Sequence, residues 1–414
     1  MSPRGNTFSA LLKQAGQARL FHAFQHTGYP WFWVTILFGW SSWSVELLVQ
    51  GWLVLELTDS PFWVGVAAAL RGVGMLVTGI PGGTLADQLN RRTIIHITLV
   101  LNGAVALTLG LLVLSGRVEL WHLLMGSLLT GMSTAVYMPT RNTLILDLVG
   151  KEALFNANAA GFLALHFTRL VSPAIGGLLI ASVGPEACYF FIVATYGAAS
   201  LSLLKVRVPR RVAQAREAIW SSIRYGLGYA LKSPTLRSLL LLSAAVEVFA
   251  FSHMYLLPVM ARDVLQVGPS GLGFLMSAGG LGALLASLTM AGLGDVQKKG
   301  VLLLLAAGGM GLFLLLFSAS PWFLLSMVLM AAVWAAAVSY DIAMNTLLLS
   351  LATEEVRGRV MGLYLFTIGM NPVGGFQAGA IATLLGAPMA IAIGGGIVVV
   401  NAVRLLPLGR RLSG

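Results

Sequence analysis

Across 414 residues there is one cysteine, Cys188, so disulfides and cysteine metal clusters are excluded and the redox compartment stays undetermined. Charge is scarce: Asp, Glu, Lys and Arg make up 10% of the chain, against about 25% in soluble domains. Acids are scarcer than bases, 15 against 26, which leaves a net charge of +11. Several motifs are missing as well. The chain has no glycine loop ending in Gly-Lys-Ser/Thr, no His-Glu-x-x-His pair and no Gly-x-Ser-x-Gly turn. Those absences argue against an enzyme and against a built-in nucleotide site, and no cofactor is expected. His22 and His26, four residues apart, read as an exposed helix face rather than a metal pair.

What is abundant is apolar sequence. Hydrophobic residues make up 57% of the chain and the mean hydropathy is +0.85, which places it in a lipid bilayer. A helix crossing the hydrocarbon needs roughly 20 mostly apolar residues, whereas barrel strands alternate over about ten. The runs here are long and helical, and twelve are expected. Six lie at 31–57, 61–86, 93–115, 118–146, 155–183 and 185–204. Six more lie at 237–261, 268–294, 300–318, 321–350, 357–385 and 387–408.

The distribution of cations sets the orientation. All but five of the 26 Lys and Arg fall on the side shared by both termini. Arg117 and Arg262 fall opposite, and Arg71, Arg141 and Arg169 lie within spans. By the positive-inside rule both termini are expected in the cytoplasm. The cations then belong to short inner loops beside anionic lipid, so nucleic acid is discounted as a partner. Residues 1–28 lack the apolar core of a cleavable signal, so the first span is expected to direct insertion into the inner (cytoplasmic) membrane.

The longest polar segment divides the spans six and six. The expected organisation is a cytoplasmic segment at 1–30, a bundle at 31–204, a linker at 205–236, a second bundle at 237–408 and a tail at 409–414. In the linker Ile219, Ile223 and Leu227 recur beside Trp220, as in a helix lying in the membrane interface, though a plain linker helix fits equally. The halves echo one another: "YMPTRNTLILDL" from Tyr137 and "YDIAMNTLLLSL" from Tyr340 share Tyr and Asn-Thr-Leu at one offset. "SPAIGG" from Ser172 is answered by "NPVGG" from Asn371. Six crossings return the second half in the orientation of the first, so the repeat is parallel.

"GGTLADQLNRR", Gly82 to Arg92, resembles the signature loop between the second and third spans of the major facilitator superfamily. "GWLVLELTDSP", "NTLILDLVGKEALFNANA" and "RGRVMGLY" resemble the branch that includes enterobactin exporters and macrolide efflux proteins. The resemblance implies a twelve-helix fold of two six-helix repeats and a gating role for Gly83, Asp87, Arg91 and Arg92. Asp87 would face the amino end of the eleventh span, where a helix dipole favours a carboxylate by about 0.3 to 1 kcal/mol. Arg91 and Arg92 also serve the positive-inside rule. Asn90 stands where glycine is common and would tolerate a left-handed turn. "RLVSPAIGG", Arg169 to Gly177, is similar to the fifth-span motif of facilitator antiporters, whose small residues let helices close on one another.

Ionisable groups at membrane depth are functional candidates by default. Glu46, Glu247 and Asp341 are the candidates for proton coupling. Glu46 shares a stripe with Gly39, Ser42 and Gln50 that is expected to face a wet central cavity, with Glu247 opposite at similar depth. Arg71 and Arg169 are the counter-charges: paired with Glu46 they would be gates or struts, and unpaired they would attract an anionic group on a substrate. Arg141 is expected near Asp87 or Asp147, and Asn345 shares a face with Asp341. Trp40, Trp43, Tyr137 and Trp334 could stack on an amphipathic ligand or serve as core. Trp31, Trp33, Trp63, Trp121 and Trp322 sit near span ends and read as interface anchors.

The sequence thus points to a proton-coupled exporter of a small amphipathic molecule, siderophore-like or macrolide-like, acting as a monomer. Uptake by the same fold, or a membrane sensor that binds without moving its ligand, are the alternatives.

Overall fold

The computed structural model describes residues 22–207, 228–229 and 232–411 apart from 89, 295 and 355, with the side chains of 80–88, 408, 410 and 411 outside the described set. The described residues are helical throughout their ordered elements. In chain order these are α1 (Tyr29–Thr58), α2 (Pro61–Gln88), α3 (Arg91–Leu114), α4 (Leu120–Val149), α5 (Leu154–Ser182) and α6 (Pro185–Leu203). There follow α7 (Pro234–Val264), α8 (Gly268–Leu293), α9 (Lys299–Ser318), α10 (Phe323–Leu351), α11 (Arg357–Ile368), α12 (Asn371–Leu385), α13 (Ala387–Arg404) and the short α14 (Leu406–Arg411). The linker helix expected at 205–236 falls almost entirely outside the described residues.

The helix starts are written in proline. Pro30, Pro61, Pro185, Pro234, Pro372 and Pro388 occupy first-turn positions, where the missing N–H has no intrahelical partner to lose. Asp59 and Gln266, which follow α1 and α7, both hold left-handed backbone, with φ of 48° and 53°. Asn90 is not left-handed as expected: it is extended at φ −63°, ψ 122°, and its Oδ1 accepts from the backbone N–H of Arg92 to cap α3.

Among the described residues ten helices are long and apolar enough to cross a membrane, against the twelve runs expected. The expected run at 118–146 falls in a continuous helix of 30 residues, α4, which is not among those ten. The run at 357–385 is divided at Gly369–Met370 into α11 and α12. Pro372 has no N–H to continue the ladder across that turn. α7 is one span with two π-helical turns, Val246–Ala250 and Met260–Val264, which carry Glu247 and Arg262.

Packing follows the repeat. α1 lies against α5 and α6, α2 against α4, and α3 against α4 and α6. In the second half α8 lies against α10, and α9 against α10 and α13. The halves meet through two equivalent pairs, α2 with α12 and α5 with α8. Glycine makes both possible: a Cβ on Gly65 would lie 2.7 Å from the Gly375 carbonyl oxygen, and one on Gly177 2.5 Å from that of Pro269. These approaches lie toward the Asp59 end of the bundle, opposite the end where α1 begins and α13 finishes. The outward surface is apolar, with Leu76, Leu288, Leu305 and Val400 exposed.

Candidate functional site

The face α1 turns toward the second half is Trp43, Leu47 and Gly51, spaced by one helical turn at a time, with Ser44 beside Trp43. Of the Glu46 stripe that the sequence suggested, Gln50 also borders this gap, while Ser42 and Glu46 bond within the first half. Ser42 bonds Thr195 of α6 at 2.8 Å, and Glu46 and Gln50 border a small cavity lined entirely from the first half. Gly39 lies against the hydroxyl of Tyr137. The physical reason is that the first bundle has its own polar interior, and residues that bond within it leave the aromatic face for the gap between halves. The signal was legible: Trp43, Leu47 and Gly51 repeat at four residues, ending in a glycine that admits Pro258 of α7.

Two clefts occupy that gap. The first, of about 360 Å³, is lined by Leu47, Gln50 and Gly51, by Ala67 and Arg71 of α2, and by Tyr255 of α7. The second, of about 420 Å³, is lined by Trp43, Ser44 and Leu47, by Arg169 of α5, by Met254 of α7 and by Trp334 of α10.

The buried charges divide into satisfied and unsatisfied groups. Nη2 of Arg71 donates to Oε1 of Glu46 at 2.6 Å and to Oε1 of Gln50 at 3.0 Å. Gln50 in turn donates to the Leu123 carbonyl at 2.9 Å and to Oγ of Ser127 at 2.5 Å. Arg71, Glu46 and Gln50 therefore form a closed strut through α1, α2 and α4. Glu247 has no cation at ion-pair distance among the described residues: it accepts from Nδ2 of Asn371 at 3.4 Å, and Asn371 accepts from the hydroxyl of Tyr255 at 2.7 Å. That chain runs from Glu247 to the wall of the first cleft, where Tyr255 and Arg71 stand on opposite sides. Glu46 and Glu247 thus sit behind the cleft walls rather than facing each other across it.

Arg169 is the other half of the pattern. Its guanidinium lies 4.7 Å from the ring centre of Trp334 and 5.7 Å from that of Trp43, with no hydrogen bond or ion pair to any described residue. Asp341 is within electrostatic reach of both Arg169 and Glu247 and lies beside Tyr364, but not at ion-pair distance from Arg169. Asn345 is half-buried one turn further along α10. Arg141 lies 5.4 Å from the ring centre of Trp40, and its Nε and Nη1 are buried without a hydrogen-bond partner. Of the two acids expected near Arg141, Asp147 is paired with Arg91, and Asp87 has its side chain outside the described residues. Arg92 donates to the Leu204 carbonyl at 2.7 Å. Gly83 and Asp87 lie in the part of α2 whose side chains are outside the described residues.

Of the expected interface anchors, Trp31, Trp63, Trp121 and Trp322 are exposed. Trp33 is turned inward, donating to the Ala160 carbonyl at 2.8 Å.

A family model described as transmembrane secretion effector matches residues 18–410. The chain belongs to that major facilitator family. It is 30% identical over 358 residues to the enterobactin exporter EntS of Shigella flexneri, covering 85% of this chain and 84% of the relative. The enterobactin exporter EntS of Escherichia coli O1:K1 / APEC is likewise 30% identical over 358 residues, with 85% of each covered. Among solved structures the fold is similar to the peptide transporter POT in complex with sulfate, with a TM-score of 0.74 at 13% identity, covering 94% of this chain and 95% of that one. It is similar also to the nucleoside transporter NupG, with a TM-score of 0.71 at 13% identity and coverage of 92% and 98%. The protein is accordingly a multi-pass membrane transporter of major facilitator type, homologous to an enterobactin exporter, and no catalytic family is indicated.

Proposed function

We propose that this transporter is a proton-coupled exporter of a small amphipathic molecule, siderophore-like or macrolide-like, seated in the inner membrane and working by alternating access as a monomer. In this reading α4 and the α11–α12 pair also cross the bilayer, giving twelve spans. Both termini are cytoplasmic, and the bundles at 31–204 and 237–408 rock against each other. The observation that carries it is the pair of clefts between the halves, bordered by aromatic rings and a cation and backed by two buried acids. With the termini inside, the Asp59 end is the external side, and the glycine-mediated approaches of α2 to α12 and α5 to α8 make this an inward-facing arrangement.

The coupling roles divide according to hydrogen-bond partners. Glu46 is held by Arg71 and acts as a strut. Glu247, with Asn371 as its one hydrogen-bond partner among the described residues, is the proton carrier, and Tyr255 connects it to the cleft. Asp341 senses the same charge field from α10. Arg91 with Asp147, together with Gly83, Asp87, Arg92 and Arg141, forms the inner gate.

The test is efflux and counterflow in proteoliposomes with siderophores, macrolides and cationic dyes under an imposed pH gradient. Movement that collapses with the proton gradient supports the reading. Proton-driven movement in the opposite direction would make the protein an uptake symporter, and binding without movement would make it a sensor.

A further inference from the structure

The two arginines on the cleft side, Arg71 buried and Arg169 half-buried, differ in what surrounds them. Arg71 has a carboxylate; Arg169 has two indole rings. A guanidinium is a flat cation with donors around its edge and π-faces above and below. Trp334 at 4.7 Å and Trp43 at 5.7 Å satisfy the faces of Arg169 by cation–π attraction. The donor edge has no acceptor among the described residues, although the guanidinium borders the cleft of about 420 Å³. Arg169 is half-buried, and its edge is open to an acceptor that enters the cleft. A second polar atom in the same cleft is also without a partner: Oγ of Ser44 is buried and makes no hydrogen bond. Met254 and Met276, polarisable and adaptable, complete the apolar walls.

Resting on the transport reading above, we propose that this cleft is a site for a small planar aromatic carboxylate. The carboxylate takes the edge of Arg169 in a paired hydrogen-bond arrangement, the ring lies against Trp43 and Trp334, and Ser44 bonds a ring substituent. A fork of N–H donors fits a carboxylate in two parallel bonds, which a neutral amide reproduces only in part and a cation not at all. Gly280 keeps the site in register, because a Cβ there would lie 2.5 Å from the backbone carbonyl carbon and oxygen of Arg169 and from the nitrogen of Leu170. Asp341 is the opposing charge: it reduces the field at the site without occupying the donor edge of Arg169. The site is therefore selective by charge sign, and cationic amphiphiles are excluded from it.

The proposal is tested on purified full-length protein in detergent, without any gradient, by quenching of tryptophan fluorescence with three probes sharing one ring system: 2-naphthoate, 2-naphthamide and 2-naphthylmethylammonium. Naphthoate is expected to bind at least tenfold more tightly than the amide, with no saturable binding of the ammonium. Arg169→Gln is expected to abolish the preference for the anion, Arg169→Lys to keep part of it, and Asp341→Asn to tighten naphthoate several-fold. Equal binding of naphthoate and naphthamide to the unaltered protein, or no binding of naphthoate, overturns the site whatever the variants do. Because binding is read without flux, loss of this site leaves export of other compounds in proteoliposomes as a separate result. Loss of proton-driven flux with charge-selective binding intact would overturn the transport reading instead.

Discussion

Nη1 of Arg262 donates to Oδ1 of Asp59 at 2.8 Å and to the carbonyl of Leu55 at 3.0 Å, so one guanidinium at the end of α7 holds the end of α1. Asp263 takes Nε of the same group at 2.6 Å and fixes its orientation. Asp59 is 85% exposed at its side chain, and exposed pairs contribute at most about 1 kcal/mol. A latch of that strength biases an equilibrium without locking it. Arg262→Ala is expected to shift the population toward an arrangement open at the Asp59 end by up to about fivefold. Spin labels on cysteines introduced at Glu56 and Gln266 would report it, since Cys188 is buried and silent. A distance distribution unchanged by the substitution would refute the latch.

The strut of Arg71, Glu46 and Gln50 makes a different prediction, about stability. Removing one partner of a buried pair leaves a charge without compensation, typically at about 3–5 kcal/mol. Arg71→Gln and Glu46→Gln should each lower the thermal unfolding midpoint in detergent, and the double variant should recover most of the loss. Additive losses would mean that the 2.6 Å contact is incidental.

Much of the fold was legible because lipid demands it: apolar runs of bilayer length and a repeated Tyr…Asn-Thr-Leu motif leave few alternatives to a two-fold helical bundle. What was not legible was partner choice among polar residues that share a helix. Glu46 and Trp43 lie three residues apart on α1, and hydropathy ranks the acid as the one that should seek a wet gap. Arg71, on a helix of the same half, decides otherwise. Likewise Arg141 was expected near Asp87 or Asp147, and the packing pairs Asp147 with Arg91 and sets Arg141 over Trp40. The turn that divides α11 from α12 was announced by Asn371-Pro372, but a turn followed by a renewed helix reads, in a hydropathy scan, as one span.

The junction of α5 with α8 tolerates little bulk. Gly177 faces the Pro269 carbonyl and the Gly273 backbone, where an added Cβ would lie at 2.5 and 3.0 Å. Gly177→Val is expected to force these helices apart, at a cost of about 1–3 kcal/mol for overpacking. Transport should fall by more than membrane insertion does, as measured by flux per inserted molecule. Gly197→Ala, at a site open to its surroundings, should be neutral in the same assay.

Glu247→Gln separates carrying a proton from holding a helix. The substitution preserves shape and keeps an oxygen to accept from Asn371, so the 3.4 Å bond and the link to Tyr255 can persist. What is lost is the ability to gain and release a proton as the carboxyl alternates between cleft and enclosure. Counterflow requires only that the halves exchange positions around bound substrate, and it should continue. Export driven by an inward pH gradient requires the proton to return through the protein, and it should fall to the level seen without a gradient, with flux no longer varying with pH. Glu46→Gln, in contrast, is expected to weaken the fold through Arg71 while any surviving protein keeps its pH dependence. If Glu247→Gln retained full gradient-driven export, the proton would have to travel by another group, and Asp341, within electrostatic reach of both Glu247 and Arg169, would be the one to replace next.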